Sequence, residues 1–214
     1  MGSDEFIHYG CGDTAAPSWR NFDAGPAFWI QLRLPPMKPL LVRKGFPNYP
    51  PGIEYGNIIK GLPVQEQSAS CVYCSHVLEH LTLQEFRIAV RNTFRYLKPN
   101  GIFRMVLPDL RALASSYVES SDPGAAGKFM RESFLGEETS QNGVKGLLRL
   151  VFGRSSHRWM WDYAAMAEEL AAAGFTQIRR AQFHDNPLPQ FLEVESEGRW
   201  AGNLGVECRR PLVS

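Results

Sequence analysis

Short apolar runs alternate with segments of helical spacing along the chain. Apolar runs bounded by turn residues predict strands over 5–9, 19–23, 53–59, 69–78, 102–110, 176–184 and 203–211. The run at 69–78 is nearly continuous, which is typical of a strand buried on both faces. Leu83, Phe86, Val90, Phe94 and Leu97 recur at helical spacing, and further helices are predicted over 108–120 and 161–175. Because strands and helices alternate, we expect a parallel sheet with helices on both faces.

Local signals define the ends of two predicted helices. Thr82 is followed three residues later by Glu85, which is typical of a capping box at a helix start. The stretch "KPNG" at 98–101 is expected to end that helix, and Gly174 is expected to end the helix at 161–175.

Two segments interrupt this regular pattern. Residues 24–52 contain seven prolines, which argue against regular helix beyond a turn or two near Phe28 to Arg33. Their aromatic side chains, among them Trp29 and Tyr49, favour a flap over a site rather than a linker. Residues 120–158 place several glycines between short amphipathic pieces, which predicts a partly helical lid. We therefore expect one domain over 1–214 with two insertions, 24–52 and 120–158.

Composition narrows the class of protein. At 214 residues, with 44% hydrophobic and 21% charged residues, the chain is typical of one globular α/β domain. A formal charge of +1 argues against a nucleic-acid partner, and the chain lacks an apolar run of membrane-spanning length. The cysteines, Cys11, Cys71, Cys74 and Cys208, read as buried thiols of a reducing compartment, so we expect a cytoplasmic protein. Cys71 and Cys74 should point to opposite faces of a strand, which disfavours a shared metal.

A glycine turn follows the first predicted strand. Gly10-x-Gly12-x-x-Ala15 fits a relaxed dinucleotide fingerprint, but Asp23 follows Gly12 by only eleven residues, with Pro17 between them. This spacing leaves no room for the long helix that binds a pyrophosphate. A ligand with a ribose and no phosphate suits it better, because glycines allow close backbone approach and Asp23 can accept hydrogen bonds from ribose hydroxyls.

Four segments carry a family resemblance. "IHYGCGDTAAPSWRNFD", "GLPVQEQSASCVYCSHVLEHL", "FRYLKPNGIFRMVLPDL" and "HRWMWDYAAMAEELAAAGF" with "LGVECRRP" resemble successive motifs of class I S-adenosylmethionine (SAM)-dependent methyltransferases. They are most similar to the small bacterial, methyltransferase type 11-like group. The resemblance implies a Rossmann-like, seven-stranded and mostly parallel sheet with an antiparallel last strand, and it implies SAM as the cofactor.

The resemblance also implies a cofactor site. Gly10, Cys11 and Gly12 would line the methionine part, Asp23 would bind the ribose, and Ser75 and His76 would lie beside the sulfonium. Asn57 stands near the position where the family usually has an acidic residue at the adenine, and its carbonyl could accept a hydrogen bond from the adenine amine.

Histidines are the candidate catalytic residues. His76 is expected to act as a base or to contact the acceptor, and His157 could face the acceptor. With Glu79 between them, His76 and His80 look like a metal or acid–base cluster, but we interpret His80 as a structural residue and expect no metal.

The function predicted from these features is methylation of a small molecule, with the acceptor pocket formed by the two insertions. An oxygen acceptor, such as a natural-product or sugar-type hydroxyl, is favoured over nitrogen. The aromatic residues of the insertions suggest a partly apolar or sugar-like acceptor, since aromatic faces suit both. We expect no nucleic-acid or membrane partner, and a homodimer is left open. Two alternatives also stay open: a catalytically silent, methyltransferase-like binding module, and a SAM-binding enzyme that catalyses a cyclisation or rearrangement.

Overall fold

The computed structural model describes residues 5–136 and 156–212, which form a single seven-stranded sheet. Its strands are β1 (Glu5–Tyr9), β2 (Arg20–Asp23), β3 (Ile53–Tyr55), β4 (Ala69–Ser75), β5 (Leu97–Pro108), β6 (Thr176–Ala181) and β7 (Asn203–Arg209). The strand order is β3-β2-β1-β4-β5-β7-β6, with β1 to β5 parallel and β7 antiparallel to both of its neighbours. This arrangement confirms the predicted mostly parallel sheet and its antiparallel last strand.

Helices connect the strands. In chain order they are α1 (Pro26–Arg33), α2 (Lys38–Arg43), α3 (Leu83–Tyr96), α4 (Leu110–Glu119), α5 (Ala125–Glu132), α6 (Tyr163–Ala172) and α7 (Glu197–Trp200). Short 3-10 turns lie at Pro35–Met37, Leu78–His80 and Pro189–Glu193. Among the described residues, no helix is both long and apolar enough to cross a bilayer.

Helix α3 begins where the sequence predicts it. The Thr82 hydroxyl accepts a hydrogen bond from the backbone N–H of Glu85, whose carboxylate accepts one from the backbone N–H of Thr82. The capping box therefore satisfies two backbone donors that the first turn of a helix leaves unpaired. Phe86 and Val90 on the apolar face of α3 are fully buried in the main core cluster.

The two faces of the sheet have separate cores. On one face, strand residues such as Val72 and Cys74 pack with Phe86 of α3 and Met166 of α6. On the other face, Cys71 and Tyr73 pack with Trp19, Phe191 and Trp200. Cys71 and Cys74 thus point to opposite sides of β4, as predicted, and both thiols are free.

A buried ionic cluster fastens the loop between β6 and β7 to the second face. Arg104 of β5 is completely buried and pairs with Asp185, Glu195 and Glu207. Its guanidinium also lies over the Trp200 ring, with 4.6 Å between the guanidinium carbon and the ring centroid.

Some element boundaries differ from those expected. The predicted strand at 53–59 ends at Tyr55, because the Asn57 side chain accepts hydrogen bonds from the backbone N–H groups of Ile59 and Lys60 and folds the chain into a turn. Strand β5 begins at Leu97, directly after α3, so "KPNG" ends the helix as expected but also belongs to the strand.

The insertions are partly described. Segment 24–52 is more helical than predicted because Pro26, Pro35 and Pro39 lie in the first turns of helical pieces, where a missing N–H has no cost. Within the predicted lid at 120–158, α5 is described, whereas 137–155, with Gly143 and Gly146, lies outside the described residues.

Candidate functional site

The glycine turn after β1 lies beside the loop that follows β4. Gly10 and Gly12 have φ values of +63° and +58°, the left-handed region that favours glycine. A Cβ atom on Gly10 would lie 2.2 Å from Cγ2 of Val77, so no larger residue fits there without rearrangement. Since β1 and β4 are neighbours while the chain order reverses between them, the turn lies at the switch point where open α/β sheets bind ligands.

Asp23 joins this turn to the start of segment 24–52. One carboxylate oxygen accepts a hydrogen bond from the Gly12 N–H at 3.0 Å, and the other accepts one from the Gly25 N–H at 2.6 Å. The side chain is buried, and burial raises the pKa of the carboxyl although these two N–H groups act against that effect.

A cavity of about 300 Å³ opens between these loops. Its lining includes four of the predicted cofactor residues, Gly10, Asp23, Asn57 and His76. The structure does not bring the other three, Cys11, Gly12 and Ser75, to its wall.

The three predicted residues outside the lining have other surroundings. Cys11 is buried in a small cluster with Phe28 and Tyr49 of segment 24–52, and burial raises the pKa of its thiol to about 12. Gly12 acts through its N–H to Asp23. Ser75 is buried at the end of β4.

Asn57 does not offer its carbonyl in the way the sequence suggested. Its side-chain oxygen already accepts two backbone hydrogen bonds within its own turn, from Ile59 and Lys60. The side chain therefore shapes the rim of the cavity, and its amide nitrogen is the group that remains for a ligand.

His76 is held by acceptors on both ring nitrogens. Nε2 lies 3.0 Å from the Arg199 carbonyl oxygen, and Nδ1 lies 3.2 Å from a carboxylate oxygen of Glu79. Burial alone would lower the pKa of His76, but Glu79 and the Arg199 carbonyl outweigh it and the pKa is raised. When both nitrogens carry a proton, the ring donates on both sides and has no free lone pair with which to take a proton from an acceptor.

A second cavity of about 520 Å³ adjoins the first. It is lined by His76, Glu79, His80, Asp109, Phe134 and His157, among others, and so shares His76 and His80 with the first cavity. Segment 120–158 contributes Glu132, Phe134 and His157 to this lining. Segment 24–52 does not contribute to it; it provides Ala24 and Gly25 to the first cavity instead.

Three side chains converge on one wall of the second cavity. Glu79 is 1% exposed; Nδ1 of His76 lies 3.2 Å from one of its oxygens, and the described residues give the other oxygen no hydrogen-bond partner. His157 is 8% exposed, its ring lies 5.1 Å from the His80 ring, and burial lowers its pKa. The backbone N–H groups of Arg158 and Trp159 donate to the Glu79 carbonyl at 2.7 and 3.2 Å, which ties the two segments together.

Three residues around the two cavities have roles that the sequence analysis does not assign: Glu79, Arg199 and Asp109. The sequence places Glu79 in a possible metal or acid–base cluster with His76 and His80 but indicates no contact with His157, and the role of the Arg199 carbonyl leaves no trace in the sequence. Asp109 could have been found, because it directly follows a buried strand whose carboxyl end points to the site edge.

Comparison with known proteins bears on the family and the fold. A protein-family model described as a methyltransferase domain matches residues 39–105. No curated protein matches the chain in sequence.

Solved structures give the same fold at low sequence identity. A SAM-dependent methyltransferase from Thermotoga maritima is 14% identical, with a TM-score of 0.52 over 98% of this chain and 84% of its own. A chain from the complex of the Haloferax volcanii Trm112 methyltransferase activator with a methyltransferase is 13% identical, with a TM-score of 0.51 over 99% of this chain and 84% of its own. The CMeT domain of the citrinin polyketide synthase is 12% identical, with a TM-score of 0.51 over 100% of this chain and 48% of its own.

At these identities the structures are evidence for the fold alone. The family match and the sheet order together confirm the resemblance to class I SAM-dependent methyltransferases, and the match implies SAM as the cofactor.

Proposed function

We propose that this protein transfers the methyl group of SAM to a hydroxyl group of a small molecule. The observation that carries the proposal is the pair of adjoining cavities that share His76 and His80 at the carboxyl edge of the sheet. One cavity has the glycine turn and a buried carboxylate, and the other has room for a second small molecule. Transfer between two bound molecules requires such an arrangement, because the reacting atoms must meet without water between them.

The first cavity fits the cofactor. Each oxygen of Asp23 accepts one backbone hydrogen bond and keeps a lone pair, so ribose hydroxyls can donate to it. Gly10 allows a ligand to approach the backbone. When bound, SAM supplies a methyl group on a reactive sulfonium; Gly10, Asp23, Asn57 and His76 would hold it, with Cys11, Gly12 and Ser75 supporting the same loops.

The second cavity suits an acceptor of small-molecule size. A volume of about 520 Å³ lies within the ordinary range for such sites, and its wall combines Phe134 with the polar groups of Asp109 and His157. An alcohol must lose its proton as its oxygen bonds to the methyl carbon and the carbon–sulfur bond breaks. Of the two predicted catalytic histidines, His157 is the better candidate to accept that proton, because Nδ1 has no hydrogen-bond partner among the described residues. His76, which lines both cavities, is better suited to positioning the two bound molecules.

Calorimetry with S-adenosylhomocysteine tests the cofactor part. Asp23→Asn replaces one acceptor oxygen by a donor that faces a backbone N–H, and a hydrogen bond to a charged group contributes about 1.5–3 kcal/mol. We expect Asp23→Asn to weaken binding by about 10- to 100-fold. Asp13→Asn is the matched control, since it makes the same change at an exposed position of the same turn. Equal affinity of both variants and the unchanged protein would contradict the site.

Product mass tests the reaction. Incubation with SAM and a panel of diols, phenols, sugars and amines should give products heavier by one CH₂ unit, from the hydroxyl compounds first. An isomerised product of unchanged mass would support the rearrangement alternative. Binding of S-adenosylhomocysteine without conversion of any acceptor would support the silent binding module.

A further inference from the structure

Glu79, His80 and His157 form a compact cluster on the wall of the second cavity. Each offers one ligand atom, a carboxylate oxygen or an imidazole nitrogen, and these atoms lie within 4.8 Å of one another. All three residues line the cavity. A cation held between them would therefore be open to a small molecule on one side.

Two members of the cluster have buried polar atoms that need a partner. The Glu79 oxygen that no ion pair reaches and the Nδ1 atom of His157 are buried without a hydrogen bond among the described residues. Burying a carboxylate or an imidazole nitrogen in this state is costly, and native proteins almost always supply a partner. Nδ1 of His76 lies 3.2 Å and Nε2 of His80 lies 3.9 Å from the same Glu79 oxygen, so both ring nitrogens leave the other oxygen without a partner.

The backbone holds the cluster together. The N–H groups of Arg158 and Trp159 donate to the Glu79 carbonyl, so the segment that carries His157 is fixed against the turn that carries Glu79 and His80. On the His80 ring, Nδ1 lies 3.5 Å from the Ser156 carbonyl oxygen while Nε2 lies 3.9 Å from a Glu79 oxygen. A ring nitrogen that faces a backbone carbonyl in this way orients the opposite nitrogen toward a metal.

We propose that Glu79, His80 and His157 bind a divalent transition-metal ion in the second cavity. Two imidazoles and one carboxylate are a ligand set that favours ions such as Zn²⁺, Mn²⁺ or Fe²⁺ over Mg²⁺ or Ca²⁺, which prefer oxygen ligands. Bonds of about 2.1 Å place adjacent ligands roughly 3–3.5 Å apart, so the side chains would close by about 1–2 Å on binding. Three protein ligands leave coordination positions open toward the cavity.

The open coordination positions of the ion indicate the chemical class of the acceptor. This inference about the acceptor rests on the proposed methyl transfer. A hydroxyl next to a second oxygen, as in a vicinal diol or a catechol, would chelate the ion through both oxygens. The coordinated hydroxyl loses its proton to solvent, its oxygen bonds to the methyl carbon, and the carbon–sulfur bond breaks to leave neutral S-adenosylhomocysteine. His157 is then a metal ligand, and the ion takes over the activation of the hydroxyl.

Titration with Co²⁺ tests the site. The chain is first treated with a chelator, and the d–d absorption of bound Co²⁺ reports its binding. Displacement of Co²⁺ by Zn²⁺ then gives the affinity for Zn²⁺. We expect one bound ion per chain, with Glu79→Gln and His157→Gln each weakening the binding by at least about 10-fold. His184→Asn is the matched control, because it removes a histidine outside the cavity lining at a position with positive φ that asparagine tolerates. Cooperative urea unfolding of each variant, followed by tryptophan fluorescence, shows that it is folded.

The outcomes separate the two proposals. No stoichiometric Co²⁺ binding, or binding that Glu79→Gln and His157→Gln leave unchanged, overturns the metal site even if S-adenosylhomocysteine binds. Co²⁺ binding that depends on these residues supports the site even if no methyl transfer is found. Methylation of vicinal diols or catechols that is lost with chelator and restored by Zn²⁺ or Mn²⁺ supports both, whereas equal methylation with chelator present overturns the role of the ion in acceptor binding.

Discussion

Replacing Arg104 by methionine removes the cation at the centre of the buried ionic cluster on the second face of the sheet. The Arg104 side chain is 0% exposed, its guanidinium pairs with Asp185, Glu195 and Glu207, and it donates to the Gln182 carbonyl at 2.7 Å. Methionine fills a similar volume without the charge. The expected loss of stability therefore comes from the carboxylates that remain.

The three carboxylates are not equally affected. Asp185 and Glu207 keep ion pairs with Arg179, at 2.6 and 2.9 Å. The Glu195 side chain is also 0% exposed, and Arg104 is its only ion-pair partner among the described residues. The variant therefore leaves the Glu195 carboxylate buried without a cation. An uncompensated buried charge of this kind costs about 3–5 kcal/mol, which is a large part of the total stability of an ordinary domain.

Urea denaturation followed by tryptophan fluorescence measures the effect. We expect Arg104→Met to lower the free energy of unfolding by about 3–5 kcal/mol. Glu195→Met should cost less, because Arg104 keeps Asp185 and Glu207 as partners. The double variant should be more stable than the sum of the two single changes predicts, with a coupling of at least about 1 kcal/mol.

Two results would refute this reasoning. One is a free energy of unfolding for Arg104→Met within about 1 kcal/mol of that of the unchanged chain. This would mean that water reaches Glu195 or that the surrounding residues rearrange to compensate its charge. The other is strict additivity in the double variant, which would mean that Arg104 acts through packing on Trp200 rather than through the Glu195 charge.

Two further predictions concern the glycine turn and pH. Gly10→Ala should abolish S-adenosylhomocysteine binding in calorimetry, because the new Cβ would lie 2.2 Å from Cγ2 of Val77 at a φ of +63°. Adding Val77→Ala removes the clash but not the backbone strain, so it should restore only part of the binding. Full binding by Gly10→Ala alone would disprove the close approach. Partial burial acts to raise the pKa of Asp185, but Arg179 and other donors outweigh it and lower the pKa from 3.8 to about 2. Since the folded-state pKa is the lower one, this stabilisation is present above 3.8 and is lost as the pH falls toward about 2. Urea midpoints should therefore drop less over that range in Asp185→Asn than in the unchanged protein, and identical profiles would contradict this assignment.

Local patterns predicted the elements whose ends are set by local chemistry. The capping box of Thr82 and Glu85 defined the start of α3, because both hydrogen bonds lie within four residues. The end of β3 was misplaced, because apolar Ile58 and Ile59 continue the strand pattern while the turn depends on the Asn57 side chain. Proline content misled the reading of 24–52, since the position of a proline within a helix matters more than its number.

The candidate site was predictable only in part. Gly10 and Asp23 are predicted from the glycine turn, its spacing to Asp23 and the family resemblance. Both line the first cavity, because Gly10 follows β1 and Asp23 ends β2 at one edge of a parallel sheet. The approach of His157 to Glu79 and His80 depends on tertiary contacts between distant segments, and no sequence spacing reports such a contact. The same holds for Arg104, whose partners come from the loop between β6 and β7 and from β7 itself.

His76 and His80 line both cavities, so occupancy of one cavity bears on the other. A ligand that shifts either ring changes the wall that the second ligand meets. Thermodynamic linkage then requires reciprocity: the factor by which the first ligand alters affinity for the second equals the factor by which the second alters affinity for the first. A change in the affinity for S-adenosylhomocysteine on adding a candidate acceptor therefore reports that the acceptor binds. This measurement works even for a compound that is never methylated.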